Sequence, residues 1–317
     1  MPRVGAIDCG TNSIRLLVAD VTGHGAEADL RDVHREMRIV RLGQGVDATG
    51  EFAPEALERT RAALVDYAGV LRRKGAERVR MAATSAARDA GNREEFFAMV
   101  RDTVGVDAEV ISGTEEARLS FIGAVGDLAA DDGPFLVTDV GGGSTELVVG
   151  RLDGGEAVID ASYSADIGSV RITERCLPGD PPSAEQVTEA GHLAGAGILS
   201  AAFDAVPIEG VRTWVGVAGT ITTLSAVALR LPEYDPAAVH LSRLSRQDLH
   251  RVAAELLGMS RAERGRYGAI HPGRIDVIGG GGLIVGALAD QVWVRAGVSE
   301  MVVSEHDILD GLARSIA

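Results

Sequence analysis

The sequence contains few cysteines and almost no lysine. Its 317 residues include two cysteines, Cys9 and Cys176, and one lysine, Lys74. Two cysteines cannot form a disulfide framework, and no Cys-x-x-Cys or His-x-x-x-His spacing offers a zinc site. The chain therefore suits a reducing cytoplasm.

A long apolar segment is also missing. The longest uncharged stretch, Thr213 to Leu229, is shorter than the ~20 apolar residues of a membrane span and is interrupted by glycine and threonine. The N-terminus reaches Asp8 before the apolar core of a signal peptide could form. We therefore expect a mature cytoplasmic protein with no membrane partner.

Positive charge is in deficit. The sequence has 46 acidic and 31 basic residues, which gives a formal charge of −15 at pH 7, and no basic run interrupts this balance. An acidic surface repels polyanions unless basic groups are gathered in one place or metal ions bridge the gap. We therefore exclude a nucleic-acid partner, and at roughly 150 residues per domain the length predicts two domains.

Two segments repeat one pattern of strand, glycine turn and strand. Val4–Val18 and Phe135–Val149 align with Asp8 on Asp139, Gly10 on Gly141 and Ser13 on Ser144. Each segment predicts a β-hairpin that opens a domain. Asp127–Pro134, which is acidic and small, is the candidate linker between two similar domains.

The remaining segments alternate between helix and strand. The spacing predicts long helices over Pro54–Lys74, Ser183–Phe203 and Ser245–Leu257, and a helix that begins near Thr114 with that residue as a candidate N-cap. The glycine run at Gly279–Gly282 is expected between a charged loop and an apolar helix. This alternation indicates an α/β protein.

The paired Asp-x-Gly-x-x-Ser turns carry the strongest chemical signal. Glycine allows close approach, so the backbone N–H groups and hydroxyls of such turns can surround a phosphate. The acidic residues Asp8, Asp139 and Glu146 suit an octahedral Mg²⁺ held by few carboxylates, by waters and by substrate oxygens. The sequence therefore predicts a phosphate site with a divalent metal ion.

Six motifs span nearly the whole chain: Asp8-Cys-Gly-Thr-Asn-Ser-Ile-Arg15, Ala83-Thr-Ser-Ala-Ala-Arg88, Ile111-Ser-Gly-Thr-Glu-Glu-Ala-Arg118, Asp139-Val-Gly-Gly-Gly-Ser-Thr-Glu146, Gly216-Val-Ala-Gly-Thr-Ile-Thr-Thr223 and Arg274-Ile-Asp-Val-Ile-Gly-Gly-Gly281. In these motifs and in their order, the sequence resembles the exopolyphosphatase and guanosine pentaphosphate phosphohydrolase (Ppx/GppA) family of the actin-like ATPase superfamily. The Ser-Gly-x-Glu-Glu-Ala-Arg motif is specific to the family, whereas the turns alone would also fit a kinase.

The resemblance implies a fold. It predicts two actin-like (ribonuclease H-like) domains, each a mixed sheet with flanking helices, with the active site in the interdomain cleft. Residues 1–126 would form domain I, joined by a C-terminal helix at 305–317, and residues 127–304 would form domain II. Longer family members carry a further helical domain, for which this sequence leaves no room, so we expect the short two-domain form and a preference for short polyphosphate.

The resemblance also implies roles for individual residues. Glu116 would be the catalytic base that activates or orients the attacking water, and Arg88 would neutralise charge on the terminal phosphoryl group. Arg118 is expected to form an ion pair that steadies the loop. The phosphate-binding groups would be Thr11, Asn12, Ser13, Gly141, Gly142, Gly143, Ser144, Gly219 and Thr220, although the last two could equally serve only to hold a strand against a helix.

These assignments predict an exopolyphosphatase that releases orthophosphate from inorganic polyphosphate with Mg²⁺ or Mn²⁺. The alternative is a phosphohydrolase that removes the 5′ γ-phosphate of pppGpp, because both substrates end in the same phosphoanhydride. A superfamily kinase or a nucleotide-binding sensor is a more remote alternative, and Glu116 argues against the sensor. The family's dimeric habit makes a homodimer the expected assembly.

The stretch Arg261–Arg274 contains several basic residues. They could guide a long polyanion, but a solvated charged loop is the favoured interpretation.

Overall fold

The computed structural model describes residues 1–23, 25 and 28–316, and it divides into two compact units. Unit 1 comprises Met1–Gly126, Asp153–Ala157 and His306–Ala317, and unit 2 comprises Asp127–Leu152 and Val158–Glu305. Each unit is built on a mixed sheet with flanking helices, which confirms the predicted fold class.

Unit 1 begins with five strands and five helices. The strands are β1 (Arg3–Cys9), β2 (Ser13–Thr22), β3 (Asp29–Ile39), β4 (Arg78–Ala83) and β5 (Ala108–Val110). The helices are α1 (Val46–Thr49), α2 (Pro54–Lys74), α3 (Ser85–Asp89), α4 (Arg93–Val104) and α5 (Gly113–Val125). The sheet order is β3-β2-β1-β4-β5, in which the first three strands are antiparallel and β4 and β5 run parallel to β1.

Unit 2 holds a six-stranded sheet and eight α-helices within the described residues. Its strands are β6 (Phe135–Val140), β7 (Thr145–Asp153), β8 (Glu156–Ala165), β9 (Thr213–Val217), β10 (Arg243–Ser245) and β11 (Glu300–Val303), in the order β10-β11-β9-β6-β7-β8. Its helices are α6 (Ser169–Cys176), α7 (Ala184–His192), α8 (Ser200–Ala205), α9 (Ala218–Ala228), α10 (Pro236–Val239), α11 (Arg246–Gly258), α12 (Arg261–Arg264) and α13 (Ile278–Ala296). The last helix, α14 (Ile308–Arg314), returns to unit 1.

Both faces of the unit 1 sheet are covered. Apolar residues of α2 and α4, such as Leu64 and Phe96, pack on one face with Ile7 and Leu16. On the other face, Leu119 of α5 and Leu309 of α14 pack with Val4 and Leu17. Central strands that are buried on both faces read as nearly continuous apolar runs, and β1 and β2 do so here.

Short stretches of other helix types complete the chain. The predicted helix over Ser183–Phe203 is helical throughout, but Leu193–Leu199 between α7 and α8 forms a π-helix. The candidate linker contains a 3₁₀ turn at Ala130–Asp132, and a second 3₁₀ turn lies at Pro272–Arg274. No described helix is both long enough and apolar enough to cross a lipid bilayer.

The glycine run belongs to a helix, which corrects the sequence-based expectation. Helix α13 starts at Ile278 and includes Gly279–Gly282. A Cβ on Gly280 would lie 2.5 Å from Thr173 Oγ1, and one on Gly282 would lie 3.2 Å from the Ala253 Cα. Close packing against α6 and α11 therefore outweighs the low helix propensity of glycine.

Candidate functional site

The two predicted hairpins form, and their turns share one geometry. The Gly10 N–H donates to the Ser13 carbonyl at 2.9 Å, and the Gly141 N–H donates to the Ser144 carbonyl at 3.0 Å. Asp8 is the penultimate residue of β1 and lies opposite Arg15, while Asp139 is the penultimate residue of β6 and lies opposite Glu146. The two copies thus place an aspartate at the same point of the turn, but one faces a cation and the other a carboxylate.

In unit 1, Asp8 is buried and only one of its oxygens has a protein partner. Arg15 donates to Asp8 Oδ2 from Nε at 2.9 Å and from Nη2 at 2.7 Å. Asp8 Oδ1 is buried and accepts no hydrogen bond from any described residue. Burial raises the pKa of the Asp8 carboxyl, and Arg15 opposes that effect. A buried carboxylate oxygen without a partner fits the oxygen ligand that a hard divalent cation prefers.

The rest of this turn is held by its backbone. The Asn12 carbonyl accepts from the N–H groups of Val40 and Arg41, and the Thr11 carbonyl accepts from that of Gly43. The Thr11 hydroxyl is buried and, like Asp8 Oδ1, has no partner among the described residues. Ser13 opens strand β2 and is half-buried. The predicted phosphate-binding residues Thr11, Asn12 and Ser13 therefore lie together in one fixed turn.

Glu116 and Arg88 form an ion pair. Arg88 lies in the last turn of the short helix α3, and its Nη1 donates to Glu116 Oε2 at 2.7 Å and to the Ile111 carbonyl at 3.1 Å. Glu116 lies in the first turn of α5 and is 8% exposed. Burial raises the pKa of Glu116, while Arg88 and a hydrogen bond from Thr84 oppose that rise. The geometry yields a buried carboxylate with an adjacent guanidinium.

The start of helix α5 differs from the prediction. Ser112, not Thr114, is the N-cap, and its hydroxyl accepts from the Glu115 N–H at 3.2 Å. The N-cap is the residue directly before the first helical residue, which is Gly113. The cap therefore lies two positions before Thr114, the predicted N-cap. Arg118 forms its ion pair with Glu115 at 3.6 Å. Glu116 is thereby left on the buried face of the helix.

In unit 2, Asp139 and Glu146 form a pair of buried acids on adjacent strands. They are 6% and 1% exposed and stand directly opposite each other in the β6–β7 register. Like charges at such positions repel, because the Cβ atoms of cross-strand partners are about 5 Å apart. Ser164 on β8 donates to Glu146 Oε1 at 2.7 Å. Two facing carboxylates in a buried position suit a divalent cation.

The glycine turn of unit 2 is attached to helix α6. The carbonyl of Gly142 accepts from the N–H groups of Val170 and Arg171, and that of Gly143 accepts from Arg171 Nε at 2.8 Å. Within the described residues, Gly142 and Gly143 form hydrogen bonds only through their own carbonyl oxygens, and their own N–H groups donate to no protein acceptor. The N–H donors of Gly142 and Gly143 thus remain available for an anion.

Gly219 and Thr220 lie at the start of α9, beside Arg274. Ala218, which opens the helix, has a φ of 70°, in the left-handed region. The Arg274 guanidinium occupies the space that a Cβ on Gly219 would need, and its Nη1 donates to Thr223 Oγ1 at 3.2 Å. Gly219 therefore has a packing role: it lets Arg274 lie against the first turn of α9.

The basic stretch is only partly a solvated loop. Arg264 is 4% exposed and donates to the Ile275 carbonyl at 2.8 Å, so it holds the chain before α13. Arg261 and Arg266 are exposed. Arg261 and Arg266 are therefore exposed to solvent as predicted, whereas Arg264 and Arg274 contact other parts of the protein.

Sequence reasoning missed four contacts of the candidate residues: Arg15 on Asp8, Asp307 on Arg15, Thr84 on Glu116 and Ser164 on Glu146. Arg15 and Thr84 stand inside the quoted motifs, so the motifs could have pointed to them. Asp307 and Ser164 carry no local signal, because their partners are distant in the sequence.

Known proteins resemble this chain in sequence and in fold. The model of the Ppx/GppA phosphatase family matches residues 17–315. Exopolyphosphatase 2 of Mycobacterium tuberculosis is 58% identical over 322 residues, which cover 100% of this chain and 99% of that protein. A solved exopolyphosphatase-like protein superposes with a TM-score of 0.94 at 45% identity, over 100% of this chain and 98% of the other. The Aquifex aeolicus PPX-GPPA enzyme superposes with a TM-score of 0.79 at 31% identity, over 99% of both chains. The chain therefore belongs to the Ppx/GppA phosphatase family.

Proposed function

We propose that this chain is an exopolyphosphatase, a hydrolase that removes the terminal phosphate of inorganic polyphosphate. The observation that carries the proposal is the 58% identity to exopolyphosphatase 2 of Mycobacterium tuberculosis over nearly the full length of both chains. The buried Glu116–Arg88 pair supports it, because phosphoanhydride hydrolysis needs a positioned water and a charge to balance the transferred phosphoryl group.

In the proposed mechanism, Glu116 orients the attacking water and accepts its proton. The carboxyl must be ionised to do so, and burial works against ionisation. Arg88 and Thr84 counter the burial by hydrogen bonding to the ionised form. Arg88 would also stabilise the negative charge that spreads over the phosphoryl oxygens in the transition state. No covalent nucleophile is required.

We propose that the two hairpin turns bind phosphate oxygens. In unit 1 the buried hydroxyl of Thr11 would donate, together with Asn12 and Ser13. In unit 2 the N–H groups of Gly142 and Gly143 would donate, together with Ser144, while the Gly141 N–H holds the turn through the Ser144 carbonyl. We also propose that Gly219 and Thr220, at the start of α9, contribute to phosphate binding.

We propose that each unit contributes carboxylate ligands for divalent cations, Mg²⁺ or Mn²⁺. They are Asp8 in unit 1 and Asp139 with Glu146 in unit 2, and their burial and oxygen donors fit a hard cation. When bound, such an ion would offset the negative charge of the phosphate oxygens and polarise the anhydride. Asp8 Oδ1 is the atom that unit 1 would offer.

The finer assignments follow from the family and remain proposals. Short polyphosphate is the proposed preferred substrate, and pppGpp is the alternative, because the same residues could act on either terminal phosphoanhydride. We further propose that units 1 and 2 are the two actin-like domains, that the protein acts in the cytoplasm and that it forms a homodimer.

The test is orthophosphate release from short polyphosphate, long polyphosphate, pppGpp and ATP, measured in parallel with Mn²⁺ or Mg²⁺. Glu116→Gln should lower kcat by about 10²-fold or more on the preferred substrate, because a general base contributes roughly 10²- to 10⁴-fold. Glu115→Gln is the matched control: it neutralises the adjacent carboxylate, which is 34% exposed and paired with Arg118.

A folded Glu116→Gln variant with wild-type turnover would remove Glu116 from the mechanism. Release from pppGpp but not from polyphosphate would select the alternative substrate. Transfer of phosphate to an acceptor hydroxyl, without release of orthophosphate, would show a kinase instead.

A further inference from the structure

The two hairpins differ in the residue that stands opposite the aspartate. In unit 2, Asp139 faces Glu146, whereas in unit 1 the corresponding partner of Asp8 is Arg15. Arg15 uses Nε and Nη2 on the same oxygen, Asp8 Oδ2, at 2.9 and 2.7 Å. Two donors on one oxygen fix the plane of the carboxylate and leave Oδ1 without a protein partner.

Arg15 is itself held by the C-terminal segment. Its remaining nitrogen, Nη1, donates to Asp307 Oδ2. Asp307 is 3% exposed and caps helix α14, since its Oδ1 accepts from the Leu309 N–H at 3.0 Å. Its own N–H donates to Asp310 Oδ2 at 3.0 Å. Both carboxylate oxygens and the backbone of Asp307 are thus engaged, so the residue has little freedom to move.

The same helix packs on the element that carries the proposed catalytic base. The backbone of Asp307 lies so close to Gly123 of α5 that a Cβ there would overlap the Asp307 carbonyl. Gly311 of α14 approaches the Leu119 carbonyl in the same way. These contacts tie Asp307 to α5, and Glu116 lies in the first turn of α5.

The charges of this cluster do not cancel. One guanidinium serves two carboxylates, all three groups are largely buried, and Asp8 Oδ1 has no hydrogen bond. An excess negative charge in a buried place is costly unless a cation compensates it. Arg15 therefore neither neutralises the cluster nor blocks the remaining oxygen.

We propose that Arg15 and Asp307 are positioning residues that hold Asp8 so that Oδ1 is presented to a divalent cation, either directly or through a coordinated water. The proposal rests on the proposed function, because it takes Asp8 as a carboxylate of the metal site. It assigns the C-terminal helix a role in metal binding: α14 supplies the anchor of the unit 1 carboxylate.

The experiment compares Asp307→Asn with Asp310→Asn. Asparagine retains the capping oxygen at position 307, so the variant chiefly loses the charge that holds Arg15. Asp310→Asn is the matched control, because Asp310 is a second buried carboxylate on α14 that pairs with a different arginine, Arg35, and asparagine keeps an oxygen that can still accept from the Asp307 N–H. Each variant removes one anionic partner of an arginine from the same helix.

Two quantities are measured: Mn²⁺ binding to the free protein, by electron paramagnetic resonance, and the Mn²⁺ concentration that gives half-maximal polyphosphate hydrolysis. Asp307→Asn should weaken both by about 10-fold, the size of effect seen when an outer-shell partner of a ligand is lost, and saturating Mn²⁺ should restore most of kcat. Asp310→Asn should leave both within about 2-fold of wild type. Thermal unfolding of each variant reports its structural cost separately.

The proposal is wrong if Asp307→Asn binds Mn²⁺ like wild type, or if Asp310→Asn weakens binding equally. Should Asp307→Asn fail to fold, Arg15→Lys replaces it in the same Mn²⁺ binding measurement. This variant should also weaken binding, because lysine keeps the charge but cannot donate to both carboxylates with the same geometry. A wild-type protein that binds Mn²⁺ but releases no phosphate from polyphosphate would refute the proposed function, while the binding comparison would still test the role of Arg15 and Asp307.

Discussion

Gly168 offers a sharp test of the glycine turn in unit 2. This residue precedes helix α6 with φ −149° and ψ 173°, an extended conformation that alanine adopts without strain. A Cβ at this position would lie 2.6 Å from the Gly143 nitrogen and closer still to the Gly142 carbonyl. Both neighbours are backbone, so neither can rotate away, and Gly168→Ala must displace the turn.

The size of the displacement follows from these distances. Ordinary Cβ contacts begin near 3.4 Å, so the Gly143 nitrogen must move from 2.6 Å by the difference, about 0.8 Å. A misplacement of about 1 Å in a positioning element can cost 10²-fold in rate, and overpacking typically costs about 1–3 kcal/mol of stability. We therefore expect kcat/KM for polyphosphate to fall about 10²-fold in Gly168→Ala, with a lower melting temperature.

The assay is orthophosphate release from polyphosphate, with thermal unfolding measured on the same samples. Gly191→Ala in α7 is the control, because a Cβ there meets no heavy atom within 4 Å. That control should keep full activity and gain about 0.5–1 kcal/mol of stability. Wild-type kcat/KM in Gly168→Ala would refute the reasoning, since it would mean that the turn can move without consequence or takes no part in binding phosphate.

Two further predictions concern the carboxylates. Asp139→Asn should raise the Mn²⁺ or Mg²⁺ concentration for half-maximal hydrolysis at least about 10-fold. The control is Asp160→Asn, which changes an exposed carboxylate on β8 that pairs with Arg151 and should leave this concentration unchanged. An unaltered metal titration in Asp139→Asn would exclude Asp139 as a ligand. Thr84→Val removes a hydrogen bond that lowers the pKa of Glu116, so the ionised base is lost at a higher pH and the acid limb of the kcat profile should shift upward. An unshifted limb in a folded Thr84→Val variant would contradict that assignment.

The elements with strong local periodicity were predictable. The helix over Pro54–Lys74 has the predicted bounds, and both hairpins form as expected. Strands β3 and β8 were missed; both lie at sheet edges and carry many polar residues, so they lack the apolar run of a central strand. Local sequence therefore identifies elements whose burial pattern is regular, and the edge strands β3 and β8 have no such pattern.

The candidate site divides in the same way. The sequence alone determined the duplicated aspartate turns, because the repeat is visible in adjacent residues, and it pointed to Glu116 and Arg88 through motifs that resemble those of the Ppx/GppA family. Only the tertiary structure placed Asp307 on Arg15, which lies 292 positions away, and Ser164 on Glu146. It also decided that Gly168 must lack a side chain. These contacts arise when segments that are distant in the sequence pack together. Such packing produces no periodic pattern in either segment, so local sequence cannot reveal it.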